Sequence, residues 1–398
     1  MSFFKKVVKY VKPLDLLDLL IIIAACPIGL ILRLFKKDIW LISERANEAH
    51  DNGYWFFKFV RENYPQRNAY YSINFNSGDY INKIKPLGNA IQHGSFRHHI
   101  YMWACSKFVS AHIGDSYPAR LASRFFVLHG LYPFKFVFLQ HGVIQNAPPF
   151  LLSENNNLDV FIASAERERQ GIIKDLHYSP NQVVCAGLCR YDNLADFKVK
   201  KNQVLIMPTW RWWLSPEHDR SIQNREPLEN SNYFIQLKAL LTNKRLIDFA
   251  IKNNIELCYF PHFEMQQYMQ EFKSVCANIK CFSNKEYDVQ QALKDSALLI
   301  TDYSSIAFDF AYMKKPLIYF QHDYEEFCEK HYPEGYFKYN EDGYGPVCAT
   351  VDEVVESLIQ MYKNNFQMAP EYQKRVDEFF AFRDDKNTAR NFKCVERV

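Results

Sequence analysis

The sequence lacks the short signatures by which many nucleotide-handling and metal-using proteins are recognised. Its 398 residues contain no CxxC pair, no DxD, no GxxxxGK(S/T) loop and no GxGxxG. The closest cysteine spacings are Cys185/Cys189 and Cys276/Cys281, which argues against a zinc site. Without DxD there is no carboxylate pair of the kind that holds a metal–nucleotide complex. Without the glycine loops there is no P-loop and no dinucleotide fingerprint. A large excess of one charge is missing too: the formal net charge is +3, too balanced to argue for a nucleic-acid partner. No repeat or low-complexity tract stands out. Any phosphate chemistry here is expected to use helix termini, His and Arg, with no metal and no cofactor.

What is present describes a globular chain. Hydrophobic residues make up 48% and charged residues 23%, which excludes a disordered protein. The length suits two cores better than one. The 33 Phe, 25 Tyr and 6 Trp exceed what stacking on a ligand would need, so most belong to the interior. Ten cysteines are scattered, for example Cys105, Cys258 and Cys348, as expected of free thiols in a reducing cytoplasm.

The N-terminus has its own character. Lys5, Lys6, Lys9 and Lys12 precede an apolar run from Leu14 to Leu32, and Arg33, Lys36 and Lys37 follow it. Asp15 and Asp18 leave only Leu19 to Leu32 free of charge, a helix of about 21 Å against a hydrocarbon core of roughly 30 Å. Pro27 and Gly29 weaken a continuous helix further. Residues 1–37 are therefore expected to lie on an anionic membrane surface rather than to cross it. The competing reading is export, since Ile23-Ala24-Ala25-Cys26 looks like a lipoprotein cleavage site; the two aspartates argue against it.

Beyond residue 38, short apolar runs alternate with helical stretches. Runs at Ile39–Ser43, Ala69–Ile73, Phe108–His112, Phe136–Gln140, Val160–Ala163 and Val183–Ala186 predict one parallel sheet. Asp196–Gln203 reads as a linker. A second series follows at Val204–Met207, Glu256–Phe260, Ala297–Thr301, Pro316–Phe320 and Pro346–Ala349, with a charged, loop-like stretch at Ser215–Asn232. The fold class is α/β: two doubly wound, Rossmann-type domains, 38–200 and 201–398, with the last helices free to cross back. Ligands of such folds sit outside the C-terminal ends of the strands.

The stretch TDYSSIAFDFAYMKKPLIYFQHD, from Thr301 to Asp323, reads as strand, turn, helix, strand. Ser304 or Ser305 is placed to cap the helix, where hydroxyls and backbone N–H groups can also meet a phosphate. Asp309 is the one charge on an otherwise apolar helix. This stretch resembles the C-terminal signature of the CDP-glycerol glycerophosphotransferases, the teichoic acid primases and polymerases and their capsule-forming relatives. The resemblance extends to FLQHG at 138–142, RYDNL at 190–194, LIMPTWR at 205–211, YFPHFEM at 259–265 and GYGPV at 343–347. It implies a GT-B-like architecture, the two domains facing a cleft, the first on the acceptor side and the second holding the nucleotide donor.

QHG, PTWR, FPH and TDYSS each follow a predicted strand directly, and each candidate residue has a plain structural alternative. His141 can take a proton from a hydroxyl near neutral pH or simply close a turn; the resemblance implies the catalytic base. His262 can donate to a phosphoryl oxygen or cap a helix; the resemblance places it on the diphosphate. Ser304, Ser305, Asp302, Thr209 and Arg211 are the other donor-side candidates, Arg211 as a cation within reach of phosphate. Arg190 and Asp192 rank lower, because an ion pair at the domain junction explains them equally well. His93, in IQHGSF, repeats the QHG pattern with no clear strand before it.

The resemblance implies transfer of glycerol phosphate from CDP-glycerol to a hydroxyl of a lipid-linked or polymeric acceptor, with CMP released at the cytoplasmic face of the membrane. CDP-ribitol or another CMP-linked donor is the nearest alternative. An exported, lipidated binding protein is the alternative from a different class.

Overall fold

A computed structural model describes residues 13–194, 199–215, 227–283 and 286–398. The chain divides into two compact units. The first comprises Met1–Val143, Phe150–Asp192 and Asp384–Val398; the second comprises Ile144–Pro149 and Asn193–Arg383. The four N-terminal lysines fall outside the described residues, as do 195–198 of the expected linker and 216–226 of the expected loop.

The first unit is built on seven parallel strands: β1 (Trp40–Ser43), β2 (Ala69–Ile73), β3 (Ala90–Gln92), β4 (Lys107–Ser110), β5 (Lys135–Phe138), β6 (Val160–Ala163) and β7 (Val183–Cys185). Their order across the sheet is β3-β2-β1-β4-β5-β6-β7. Every residue of β1, β2, β4 and β6 is buried, because helices cover both faces; such strands read as continuous apolar runs. The direction of strand addition reverses between β1 and β4, where doubly wound folds bind ligands.

The second unit repeats the plan with six parallel strands: β8 (Lys200–Ile206), β9 (Glu256–Tyr259), β10 (Lys280–Cys281), β11 (Ser296–Thr301), β12 (Leu317–Phe320) and β13 (Val347–Cys348). The order is β10-β9-β8-β11-β12-β13, with the reversal between β8 and β11. Strand β8 begins at Lys200, so the expected linker ends sooner: Lys200–Gln203 pair with the sheet, and Gln203 bonds Ser296 Oγ at 2.9 Å.

The C-terminal helix Asn387–Arg397 belongs to the first unit. Phe392 stacks on Tyr64, with ring centroids 4.1 Å apart, and packs against Trp40. The Asp192 carboxylate accepts the N–H groups of Asn387 (2.9 Å) and Thr388 (2.8 Å), and so fixes the start of this helix. Gly187, at φ +79°, leaves the space that Asn387 fills; a Cβ there would stand 1.9 Å from the Asn387 side-chain oxygen.

The N-terminal helix corrects one expectation. Pro13–Phe35 is continuous through Pro27 and Gly29, and its 23 residues measure about 34 Å, enough by length to cross a bilayer. Packing explains the continuity. Gly29 presses on the helix Phe96–Ala104 so closely that a Cβ would lie 2.4 Å from Trp103 Cβ. Trp103 Nε1 donates to Ile22 O at 3.0 Å, Arg33 donates to Cys105 O at 2.6 Å, and Ile22 and Ala25 are fully buried. One edge of the helix is thus fastened to the first unit. The opposite side, with Leu16, Leu20, Ile23, Ile31, Leu34 and Phe35, is exposed. Cys26 lies inside the helix and is only part-buried.

Candidate functional site

In the first unit, β1, β4 and β5 deliver polar residues to neighbouring strand ends. Past β1, Glu44 is sealed from solvent and accepts the backbone N–H groups of His50 (3.0 Å), Asp51 (3.1 Å) and Tyr54 (2.6 Å). Burial and the neighbouring Asp51 push its pKa up to about 7. Its contacts are those of a buried anchor for the start of the helix Asn52–Asn63. Asp51 caps that helix, accepting from Asn52 N at 2.8 Å.

His141 follows β5. Gln140 before it takes a left-handed backbone, φ +50°, which is unusual for a residue with a side chain. The kink is tied on three sides. Asn52 Nδ2 donates to Gln140 O at 2.7 Å, the Gln140 amide donates to buried Glu168 at 3.1 Å, and an Arg190 guanidinium N–H donates to His141 O. The His141 ring lies nearly parallel to His112, with centroids 4.9 Å apart and planes 17° apart. Although the ring keeps an exposed surface, desolvation by the surrounding protein lowers its pKa to about 4. Asp51 opposes that shift, while Arg45 and Arg190 add to it. His141 is therefore neutral at pH 7, the form that accepts a proton.

Arg190 and Asp192 do not pair with each other. Arg190 bonds Asp51 at 2.7 Å, and Asp192 holds the C-terminal helix, so the expected ion pair is replaced by two separate structural ties. His93 does follow a strand, the edge strand β3, whose three residues are too short and too exposed to read as one. It packs against His98, with centroids 5.0 Å apart, and burial holds it neutral with a pKa of about 4.

The strand ends of the second unit are arranged around a buried cation. Arg211 is completely enclosed. Its guanidinium grips Asp323 with two bonds, at 2.7 and 3.0 Å, reaches Asp302 at 3.0 Å, and donates to the carbonyls of Thr209 (3.1 Å) and Trp210 (3.2 Å). The rings of Tyr233, Tyr303 and Phe327 surround it at 4.8 to 5.2 Å. Burial pulls the pKa of Arg211 down, but Asp302 and Asp323 outweigh it and hold the group charged. Burial likewise raises Asp323, and Arg211 more than offsets it; Asp302 is pushed up to about 6, mainly by burial. Arg211 is therefore an internal strut rather than an open phosphate ligand. It ties the turn after β8 to those after β11 and β12.

That strut shapes the donor-side candidates. Asp302 accepts from Thr209 N at 2.7 Å, so the two strand ends at the reversal point are bonded directly. Ser305 is the N-cap of the short helix Ile306–Tyr312 but makes no side-chain cap bond, and Ser304 is 8% exposed. Asp309 is buried on that helix. His262, after β9, caps the turn that follows through Nδ1, which accepts Glu264 N at 3.2 Å. An accepting Nδ1 puts the proton on Nε2, which makes Nε2 a donor. The His262 ring lies parallel to Trp210 at 6.2 Å.

The profile of the family described as CDP-glycerol:poly(glycerophosphate) glycerophosphotransferase matches residues 25–397. The minor teichoic acid biosynthesis protein GgaB of Bacillus subtilis (strain 168) is 34% identical over 365 residues, which are 90% of this chain and 40% of GgaB. The teichoic acid poly(glycerol phosphate) polymerase of the same organism is 26% identical over 183 residues, 45% of this chain and 22% of that protein. The chain thus spans well under two thirds of either relative. Among solved structures, that of the wall teichoic acid polymerase TagF superposes with a TM-score of 0.64 at 15% identity, covering 97% of this chain and 98% of the other. At that identity the likeness speaks for the fold.

The strut makes a stability prediction. Arg211→Met leaves Asp302 and Asp323 buried without their cation, a loss expected to cost about 3–5 kcal/mol. The urea midpoint should fall accordingly; an unchanged midpoint would show that Arg211 does not brace the strand ends.

Proposed function

This chain belongs to the CDP-glycerol:poly(glycerophosphate) glycerophosphotransferase family, and we propose that it transfers glycerol phosphate from CDP-glycerol to an acceptor hydroxyl, releasing CMP. The acceptor is a lipid-linked or polymeric glycan or polyol phosphate of teichoic acid or capsule synthesis. The observation that carries the reading is His141, a neutral imidazole fixed at a strand end on a kinked and braced backbone. It takes the proton of the acceptor hydroxyl as that oxygen attacks the β-phosphorus. The bond from the β-phosphorus to the bridging oxygen breaks, and its electrons leave with CMP. The imidazolium then gives its proton to water.

On the donor side, the Nε2–H of His262 and the hydroxyls of Ser304 and Ser305 stabilise the charge that grows on the phosphoryl and bridging oxygens. Thr209 and Asp302 hold these strand ends in register, and Arg211 keeps Asp302 in place from behind. Arg190 braces His141, while Asp309 and His93 stay outside the proposed chemistry.

The exposed side of the helix Pro13–Phe35 suits peripheral binding at the cytoplasmic face of an anionic membrane. Helix Arg120–Leu128 packs beside it and exposes Leu121 and Phe125 on the same unit. Exposed apolar side chains on two packed helices suit a membrane surface. A membrane surface also brings the enzyme to lipid-linked acceptors. Arg33 and Lys36 are drawn back to Cys105 O and to the Tyr70 hydroxyl.

Two measurements test the reading. With CDP-glycerol and CDP-ribitol supplied side by side, CMP release should favour CDP-glycerol, and His141→Ala should lower it by about 10²–10⁴-fold. Turnover above about a tenth of native in the variant would remove His141 as the base, and preference for CDP-ribitol would change the donor. Separately, Leu20→Asp/Ile31→Asp should release the chain from anionic vesicles without altering its thermal midpoint. Undiminished vesicle binding would show that this helix is not the docking face.

A further inference from the structure

His141 depends on a backbone turn that its own residues disfavour, and two of the three ties opposing that cost, those through Asn52 and Arg190, converge on Asp51. A left-handed conformation at a residue with a side chain, such as Gln140, costs on the order of 1 kcal/mol and persists only where the surroundings over-determine it. The surroundings here are specific. Asp51 bonds Arg190 at 2.7 Å; the same Arg190 guanidinium nitrogen donates to His141 O, and the Arg190 backbone N–H donates to Asn52 Oδ1 at 2.9 Å. Asn52, whose N–H Asp51 caps, donates its side-chain amide to Gln140 O. The other Asp51 oxygen stands 3.7 Å from His112 Nε2, and His112 is the ring on which His141 lies. One carboxylate thereby fixes the carbonyl of His141, the carbonyl before it and the face of its ring. Each of these groups is buried except His141 itself, whose ring reaches solvent.

We propose that Asp51 is a positioning residue for His141, acting through Arg190, Asn52 and His112 to set the angle at which the imidazole leaves the end of β5. The proposal rests on the assignment of His141 as the base and adds the device that aims it. Asp51 also supplies negative charge near the ring. An imidazolium formed at His141 faces Asp51 from the start of the helix Asn52–Asn63, Arg45 from the turn after β1, His112 and Asp115 from the turn after β4, and Arg190 from the segment after β7. Removing Asp51 leaves Arg45 and Arg190 opposed only by Asp115 among these groups. The protonated form then becomes harder to reach.

Asp51→Asn in the full chain is the discriminating variant. Asparagine caps helices as well as aspartate does, and one oxygen accepts both the cap and the Arg190 bond, so the helix Asn52–Asn63 is retained while the charge that holds Arg190 and the carboxylate oxygen facing His112 are lost. With an imidazole misplaced by an ångström or less, kcat should fall by about 10²-fold, while KM for CDP-glycerol stays within about twofold, the split expected when only the transition state is affected. The acid limb of the pH dependence of kcat should move about one pH unit or more to the acid side, the effect of removing an opposite charge nearby. Asp51→Glu, which keeps the charge but not the geometry, should return the acid limb toward its native position without restoring kcat.

Unchanged kcat in Asp51→Asn would overturn the proposal. So would a loss of kcat accompanied by a raised KM and an unmoved acid limb, the pattern of general damage. A native chain that releases no CMP from CDP-glycerol or CDP-ribitol would defeat the transfer reading instead. The positioning role is still decided in that case by following the His141 ring protons by NMR. Their titration should move to lower pH in Asp51→Asn, and identical titration in the two proteins would overturn the role.

Discussion

In a sheet whose strands all run one way, every strand ends on the same edge, and the connections leaving that edge carry the residues that can meet a ligand. Both units obey this constraint. In the first, the ends of β1, β4 and β5 bring Asp51, His112 and His141 together. In the second, the ends of β8, β9 and β11 present Thr209, His262 and the Asp302–Ser305 turn. Each unit has its reversal of strand order at the centre of these groups.

The two units brace these edges with the same chemistry, an arginine against carboxylate, in different solvents. In the second unit Arg211 is enclosed by Tyr233, Tyr303 and Phe327, so its pairing with Asp302 and Asp323 is an internal crosslink between three strand ends. Buried pairs of this kind add little net stability over an apolar core but are costly to break, which suits a part whose task is to hold a shape. In the first unit Arg190 and Asp51 lie beneath a ring that reaches solvent. Their pairing is spent on the backbone of that ring. The second unit thereby has a braced turn that carries Ser304 and Ser305, and the first has a neutral imidazole on a braced strand end.

The sequence made the central strands legible because they are covered on both faces and cannot be anything but apolar. Ala69–Ile73 and Val160–Ala163 match their strands residue for residue. The edge strands β3 and β10 were not legible, being three and two residues long and partly exposed. Helix Phe96–Ala104 was hidden because its buried face includes His98 and His99, which break the apolar period. For the candidate sites, His141, His262, Ser304 and Ser305 were picked from the sequence as strand-end residues, and each does lie past the end of a strand. What could not be read is the pairing. Asp51 and Arg190 are separated by 139 residues, and Arg211 and Asp323 by 112, so only the fold shows that one arginine bonds the His141 carbonyl and the other never meets solvent. Pro27 misled for a related reason: propensity priced its lost hydrogen bond but not the contacts of Gly29, Ile22 and Ala25 that hold the helix straight.

The account stands most directly on where the donor binds. A crystal structure of this chain with CDP-glycerol tests it. The account predicts the β-phosphate within hydrogen-bond reach of His262 Nε2 and of a hydroxyl from Ser304 or Ser305, with Arg211 still enclosed by Asp302 and Asp323. Diphosphate density away from the ends of β9 and β11, or an Arg211 that leaves its carboxylates to bind it, would contradict the account.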